Sequence, residues 1–275
     1  MKTLFISDLD GTLLQPDAKL SQYTINTINQ LIDKGMLFTV ATARSEASIK
    51  HILKDLKITV PLILMNGVCT YDFSKQKYIK IETLPEESLR ILLDMIKKFN
   101  LQGFIYTIKD GVLATYYQKL NSQPLKSFYE ERVNLYKKAF YQVEDFELLK
   151  KEPIIYFTLM DHKEKLLGVY QYLSKVANLN CTFYKDNYSP EYWYLEVFSK
   201  YASKFYGTQY LRSYLGVDSV VAFGDNLNDL ALFEASDIKI AVSNGAHELK
   251  KKATHIIGKN TEDAVANWLL ENANL

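Results

Sequence analysis

Residues 3–14 read Thr-Leu-Phe-Ile-Ser-Asp-Leu-Asp-Gly-Thr-Leu-Leu. An apolar run ends in Asp8 and Asp10 and breaks at Gly11. A run of this length, closed by a turn signal, predicts a buried strand. Side chains along a strand repeat with period two, so both carboxylates face one side if the extended geometry reaches Asp10. Two acids held together at a strand end repel each other. The arrangement makes sense if a cation sits between them, or if one acid carries a proton while the other attacks.

The rest of the first third continues the same alternation. Ser21 stands where it can cap a helix that ends at Gly35. Met36 to Thr42 predicts a second buried strand, residues 44–56 a helix, and Val60 to Met65 a third strand closing on Asn66-Gly67. The order βαβαβ implies a parallel sheet with helices on both faces. The last third resumes it. A helix runs from Lys204 to Leu215 and stops at Gly216. A strand from Val220 to Phe223 closes on Gly224-Asp225, strands follow near 238–242 and 254–257, and a helix starts at Thr261.

Between these halves the chain is rich in Tyr, Phe, Lys and Glu. Thr83-x-x-Glu86 fits a capping box at a helix start, and Asp161-x-x-Glu164 opens another helix. Phe104 to Ile108, Leu113 to Tyr117 and Ile154 to Met160 read as aromatic strands. The expected organisation is therefore a discontinuous α/β core, residues 1–83 and 193–275, with an α/β domain inserted at 84–192. The aromatics from Phe183 to Tyr194 are expected to be strand packing.

Ligands of an open parallel sheet bind beyond the carboxyl ends of its strands. Four distant pieces of sequence fall there: Asp8-x-Asp10, Thr42-Ala43-Arg44, Lys204, and Gly224-Asp225-Asn226-Leu227-Asn228-Asp229. In this order they resemble the four motifs of the haloacid dehalogenase superfamily. The long insertion and Leu64-Met65-Asn66-Gly67 resemble the Cof-type phosphatases within it. The resemblance implies a Rossmann-like core with an inserted α/β cap, and hydrolysis of small phosphorylated metabolites, such as a sugar phosphate, through an aspartyl-phosphate. Asp8 would be the nucleophile and Asp10 the acid and base. Leu9, Thr42, Ala43, Lys204 and Asn228 would bind phosphate.

A phosphate monoester is a dianion, and at ~4 Å each unit pair of like charges costs about 4 kcal/mol at an effective dielectric near 20. Mg²⁺, a hard cation held by carboxylates and carbonyls, would offset that repulsion. The expected metal set is Asp8, Asp225, Asp229 and, as the resemblance implies, the carbonyl of Asp10. Asp229 is expected to orient Lys204 or a metal-bound water. Arg44, Asn187 and Tyr188 are candidate substrate contacts. Two features depart from the subfamily. Its second motif usually reads Thr-Gly-Arg, whereas alanine at 43 forbids easy positive φ and adds a methyl group. Lys200 competes with Lys204 for the third motif, and spacing favours Lys204. The alternatives are a phosphomutase of the same superfamily, or a binding protein that regulates without catalysis.

The bulk properties are ordinary for a soluble globular protein. The chain has 275 residues, and its net charge of +1 gives no basic field for nucleic acid. Cys69 and Cys181 lack metal or redox spacing, which predicts free thiols. No signal peptide or membrane span is visible, so a cytoplasmic monomer or weak homo-oligomer is expected. The four histidines show no ligand spacing.

Overall fold

A computed structural model describes residues 2–186 and 189–273. The chain opens with β1 (Thr3–Ser7), α1 (Gln22–Asp33), β2 (Leu37–Val40), α2 (Glu46–Ile52) and β3 (Leu62–Leu64), followed by a hairpin of β4 (Cys69–Asp72) and β5 (Lys77–Ile81). Local chemistry sets these limits. Ser21 Oγ accepts from Thr24 N at 2.9 Å and starts α1. Gly35, at φ +104°, turns the chain back towards β2. The helix expected over 44–56 is shorter, because Ser45 is still extended and Leu53 already leaves the helix.

The inserted stretch forms its own unit, residues 81–202. It contains α3 (Glu86–Lys98), β6 (Gly103–Lys109), β7 (Val112–Tyr117), α4 (Gln123–Tyr136), β8 (Ala139–Gln142), β9 (Ile154–His162), α5 (Lys163–Leu173), β10 (Leu179–Lys185) and β11 (Tyr192–Ser199). Its six strands lie in the order β10-β11-β9-β6-β7-β8. One face carries Ile105, Phe157, Leu159, Leu195 and Val197, packed with Leu92, Leu93 and Ile96 of α3 and Leu166 and Val169 of α5. Each such side chain, fully buried, contributes ~1.5–3 kcal/mol. The opposite face is aromatic: Tyr184 stacks on Tyr194 with centroids 5.2 Å apart, and Tyr156 on Phe198 at 5.0 Å.

Three local expectations are corrected here. The inserted unit runs past residue 192, because β11 pairs antiparallel with both β9 and β10 and so belongs to this sheet. Thr83 caps nothing. Leu84 N donates to Ile154 O, which holds this stretch to β9, and α3 begins after Pro85. Asp161 is still strand, and its carboxylate pairs with Lys165 at 2.5 Å instead of capping α5.

The chain then returns through α6 (Lys204–Leu215), β12 (Ser219–Gly224), α7 (Leu230–Glu234), β13 (Ile238–Val242), α8 (His247–Lys250), β14 (His255–Ile257) and α9 (Ala264–Asn272). Together with residues up to Lys80 these form the second compact unit, the core. Its parallel sheet has the order β14-β13-β12-β1-β2, and an Ala41–Ile63 bridge adds β3 beside β2. β1 is therefore flanked by β12 and β2, in register Ser7 with Phe223 and Ser7 with Val40. That register places the end of β1 between the ends of the two strands that carry the other polar motifs. Among the described residues no helix is long and apolar enough to cross a membrane.

Candidate active site

Asp8 follows β1 directly, and its N–H donates to Phe223 O at 2.9 Å. This bond continues the β1–β12 ladder by one step and sets Asp8 beside Gly224-Asp225. Oxygens of Asp8, Asp225 and Asp229 all lie within 4.8 Å of one another. Asp8 and Asp229 are buried, and Asp225 is half-buried.

One cation answers this cluster from inside the protein. Lys204, the first residue of α6, is only 1% exposed. Its Nζ donates to Asp8 Oδ1 at 2.5 Å and to Asp229 Oδ1 at 2.7 Å. The helix start that aims it is fixed by Ser203, whose Oγ accepts from Tyr206 N at 3.2 Å. Lys200, the competing candidate, is exposed in the turn after β11. Burial pulls the Lys204 ammonium down, but Asp8 and Asp229 outweigh it and hold the group above its ordinary range. Burial, and then the charge of Asp229, push Asp8 up to about 8. The same two causes, in the same order, push Asp225 up to about 6. One lysine does not neutralise three crowded carboxylates.

Asp229 plays a fixed part in this arrangement. Its Oδ1 holds Lys204, and its Oδ2 accepts from Asp225 N at 3.0 Å and Asn226 N at 3.1 Å. Both oxygens are thus committed to the protein, which makes Asp229 the bracket that joins the loop after β12 to α6. Gly224 is needed at this point, since a Cβ there would stand 2.7 Å from Asp229 Cβ. Asn228 lies exposed in the single 3-10 turn Leu227–Asp229.

Thr42 continues β2. Its N–H donates to Ile63 O at 2.9 Å, and its Oγ1 accepts from Arg44 N at 3.2 Å. Ala43 is exposed and is not among the positive-φ residues, so alanine carries no backbone strain there. Arg44 faces Asp10. Nε donates to Oδ2 at 2.8 Å and Nη2 to Oδ1 at 2.6 Å, a bidentate clamp on a carboxylate that is half exposed. The Leu9 side chain is buried, and its carbonyl accepts from Leu13 and Leu14 N–H groups. Asn187 and Tyr188 lie outside the described residues.

The structure also recruits residues that received no role from the sequence. Thr12 Oγ1 donates to Asp225 Oδ1 at 3.1 Å. Gly11, at φ +82°, leaves room for Asp225, whose carboxylate occupies the space a Cβ would need. Asn244 Nδ2 donates to Gly11 O at 2.8 Å, and Ala246 N donates to Asp225 O at 2.7 Å. The loop after β13 therefore braces the first and fourth motifs. Its signal in the sequence was Asn244-Gly245 at a strand's carboxyl end, a turn dipeptide at the level of the site.

A cluster of this composition at the switch of a parallel sheet has relatives. The sequence profile of haloacid dehalogenase-like hydrolases matches residues 5–269. This chain belongs to that family. Relatives span its length. The Bacillus subtilis 5-amino-6-(5-phospho-D-ribitylamino)uracil phosphatase YitU is 26% identical over 98% of this chain and 96% of its own. The Escherichia coli pyridoxal phosphate phosphatase YbhA is 22% identical over 95% of each. In three dimensions, TM0651 from Thermotoga maritima covers 98% of this hydrolase and 97% of its own chain, at 27% identity and a TM-score of 0.80.

Proposed function

We propose that this hydrolase is a Mg²⁺-dependent phosphatase of small phosphomonoesters that works through a phosphate ester on Asp8. The observation that carries the reading is the buried Asp8–Lys204–Asp229 bridge beside Asp225, with distances of 2.5 and 2.7 Å. Support for a phosphorylated substrate comes from the relatives, two of which bear the names of a 5-amino-6-(5-phospho-D-ribitylamino)uracil phosphatase and a pyridoxal phosphate phosphatase.

The donor set suits a hard divalent cation. Asp8, Asp225 and Asp229 offer carboxylate oxygen, and no histidine or thiol joins them among the described residues. Of the three, Asp8 and Asp225 are the ligands that fit, because both Asp229 oxygens are taken by protein donors. The raised Asp8 and Asp225 carboxyls fit the same conclusion, since a cation would favour their charged forms. Bound there, Mg²⁺ would screen the phosphate dianion from the carboxylates and help hold its oxygens.

The protein's own groups then divide the work. Lys204 opposes the burial that raises Asp8, and offers charge to a phosphate oxygen. Thr42 and Asn228 follow the strands on either side of β1, with groups that can donate to the remaining oxygens. An Asp8 oxygen attacks phosphorus, and the bond from phosphorus to the ester oxygen breaks. Asp10, protonated, gives its proton to the departing alkoxide, so the alcohol leaves neutral. In the second step Asp10 takes a proton from water as the water oxygen attacks phosphorus. The bond to Asp8 breaks, and phosphate and a free carboxylate result. Arg44 sets the rotamer of Asp10, and one of its two bonds has to open for either transfer.

The test is phosphate release from a panel of phosphorylated sugars, pyridoxal phosphate and flavin-precursor phosphates, with Mg²⁺ and with chelator, beside Asp8→Asn. Metal-dependent release that vanishes in the variant is expected. Release that survives in a pure Asp8→Asn sample would overturn the nucleophile. Isomerisation of a sugar phosphate without free phosphate would point to a mutase.

A further inference from the structure

We infer that Gly67 and Gly207 are positioning residues of the active site, because together they set how deeply Lys204 reaches. The inference rests on the role given to Lys204 above. Both glycines lie on one seam, between α6 and the end of β3. Gly67, at φ +98°, closes the turn Met65–Gly67 that follows β3. A Cβ at this position would stand 2.8 Å from Ser203 N and closer still to the Ser203 carbonyl. That obstacle is main chain, so no rotamer change can relieve it. Ser203 caps α6, and Lys204 is the next residue.

Gly207 makes the second contact, one helical turn along. Its N–H donates to the same Ser203 carbonyl at 3.0 Å. A Cβ on it would stand 2.7 Å from Ile63 Cγ2 on β3. The helix therefore meets the strand and its turn at two points where only hydrogen fits. On its other side the turn is fastened to the second motif. Asn66 N donates to Thr42 O at 2.9 Å, and Met65 N donates to Arg44 O at 3.0 Å. Both Met65 and Asn66 adopt positive φ, at 50° and 55°, to make these bonds. One turn is thus the shared abutment for Thr42, Arg44 and Lys204. Lys204 has no slack to absorb a shift, since its Nζ meets two carboxylates inside a closed interior.

A methyl group at either glycine pushes α6 away from β3, and a misplacement of about 1 Å can cost about 10²-fold in rate. The variants are Gly67→Ala and Gly207→Ala, with Gly35→Ala as control. Gly35 shares the positive φ of Gly67, at +104°, but has nothing within 4 Å of an added Cβ. The measurements are kcat on p-nitrophenyl phosphate with Mg²⁺, the inhibition constant of inorganic phosphate, the melting temperature, and the NMR signal of the Lys204 ammonium. Gly67→Ala is expected to lower kcat by about 10- to 100-fold and to weaken phosphate inhibition at least several-fold. Gly207→Ala should do the same to a smaller degree. It adds no backbone strain and gains helix propensity, so it carries the test if Gly67→Ala does not fold. Gly35→Ala should melt lower with kcat and phosphate inhibition unchanged.

Wild-type kcat, phosphate inhibition and lysine resonance in Gly207→Ala, and in Gly67→Ala where it folds, would overturn the inference. The resonance separates the two readings. If it moves in the glycine variants while the wild type hydrolyses no phosphoester, the seam positions Lys204 and the phosphatase reading fails alone.

Discussion

Replacing Lys204 by methionine tests the electrostatics of the site at its centre. Methionine keeps the length and apolar stem of lysine, so the change removes charge with little change in volume. Lys204 bridges Asp8 and Asp229 at 2.5 and 2.7 Å, in a position 1% exposed. Removing one partner of a buried ion pair costs about 3–5 kcal/mol. The three acids left behind lie within 4.8 Å of one another. At that separation two unit charges repel by about 3.5 kcal/mol at an effective dielectric near 20. For a protein of this size the loss corresponds to a fall of roughly 10 °C in melting temperature.

The sign of the pH dependence follows from the raised carboxyls. In the metal-free protein Asp8 is pushed up to about 8, so its folded value lies above its unfolded one. The stability linked to such a group is full below about pH 4 and is lost as pH rises through the folded value. Loss of Lys204 pushes the group further the same way. The deficit of Lys204→Met is therefore largest at pH 8 and shrinks towards pH 5, where protons replace the missing cation. Melting curves at pH 5, 6, 7 and 8 with chelator measure this directly, and turnover should fall by about 10²–10³-fold. A deficit equal at pH 5 and pH 8, or no deficit at pH 8, would refute the reasoning.

Asp10→Asn should form phosphoenzyme from an activated aryl phosphate but hydrolyse it slowly; rapid-quench measurement showing both steps slowed equally would contradict the acid–base role. Arg44→Lys should lower kcat by about tenfold or more with KM little changed, because one ammonium cannot grip both Asp10 oxygens as the guanidinium does; steady-state kinetics decide it. Mg²⁺ affinity should rise by about tenfold per pH unit between 6 and 8, as its binding displaces the Asp8 proton, and should steepen below pH 6, where Asp225 also holds one. Calorimetry in buffers of different ionisation enthalpy counts those protons, and a pH-independent affinity would reject the assignment.

The parallel core was readable because its strands end in groups whose chemistry only makes sense together. Asp8, Thr42, Lys204 and Asp225 are far apart in sequence, yet one strand order brings their segments side by side. The limits of α6 were readable to the residue, since Ser203 caps it and Gly216 ends it at φ +58°. The inserted unit was harder. Trp193 and Tyr194 alternate with Tyr192 as any half-buried strand does, and nothing in that pattern says which sheet they join. Pairing with β9 and β10 decides it. The β4–β5 hairpin hid for a related reason: β5 has no buried residue, so it carries little hydrophobic signal. The Arg44 clamp on Asp10 depends on a side chain reaching across two strand ends, which spacing alone does not encode. The Ala43 departure carries no backbone strain, because the chain there does not use positive φ.

Charge balance explains why these particular partners are needed at once. Among the described residues, Asp8 and Asp229 of this acidic trio form ion pairs with a single buried cation, Lys204. A phosphate dianion placed among them adds two further negative charges. The Arg44–Asp10 pair is self-neutral while Asp10 is ionised. On the acid role proposed for Asp10, transfer of a proton through it would leave the guanidinium uncompensated and its charge available to the dianion. A divalent cation held by Asp8 and Asp225, as proposed above, would offset part of the remaining repulsion. With both sources of positive charge missing, Lys204 alone would face the repulsion between nucleophile and phosphate, about 4 kcal/mol for each unit pair at ~4 Å and an effective dielectric near 20. The lysine buried at α6 serves a different end: its two ion pairs aim Asp8 before any substrate arrives.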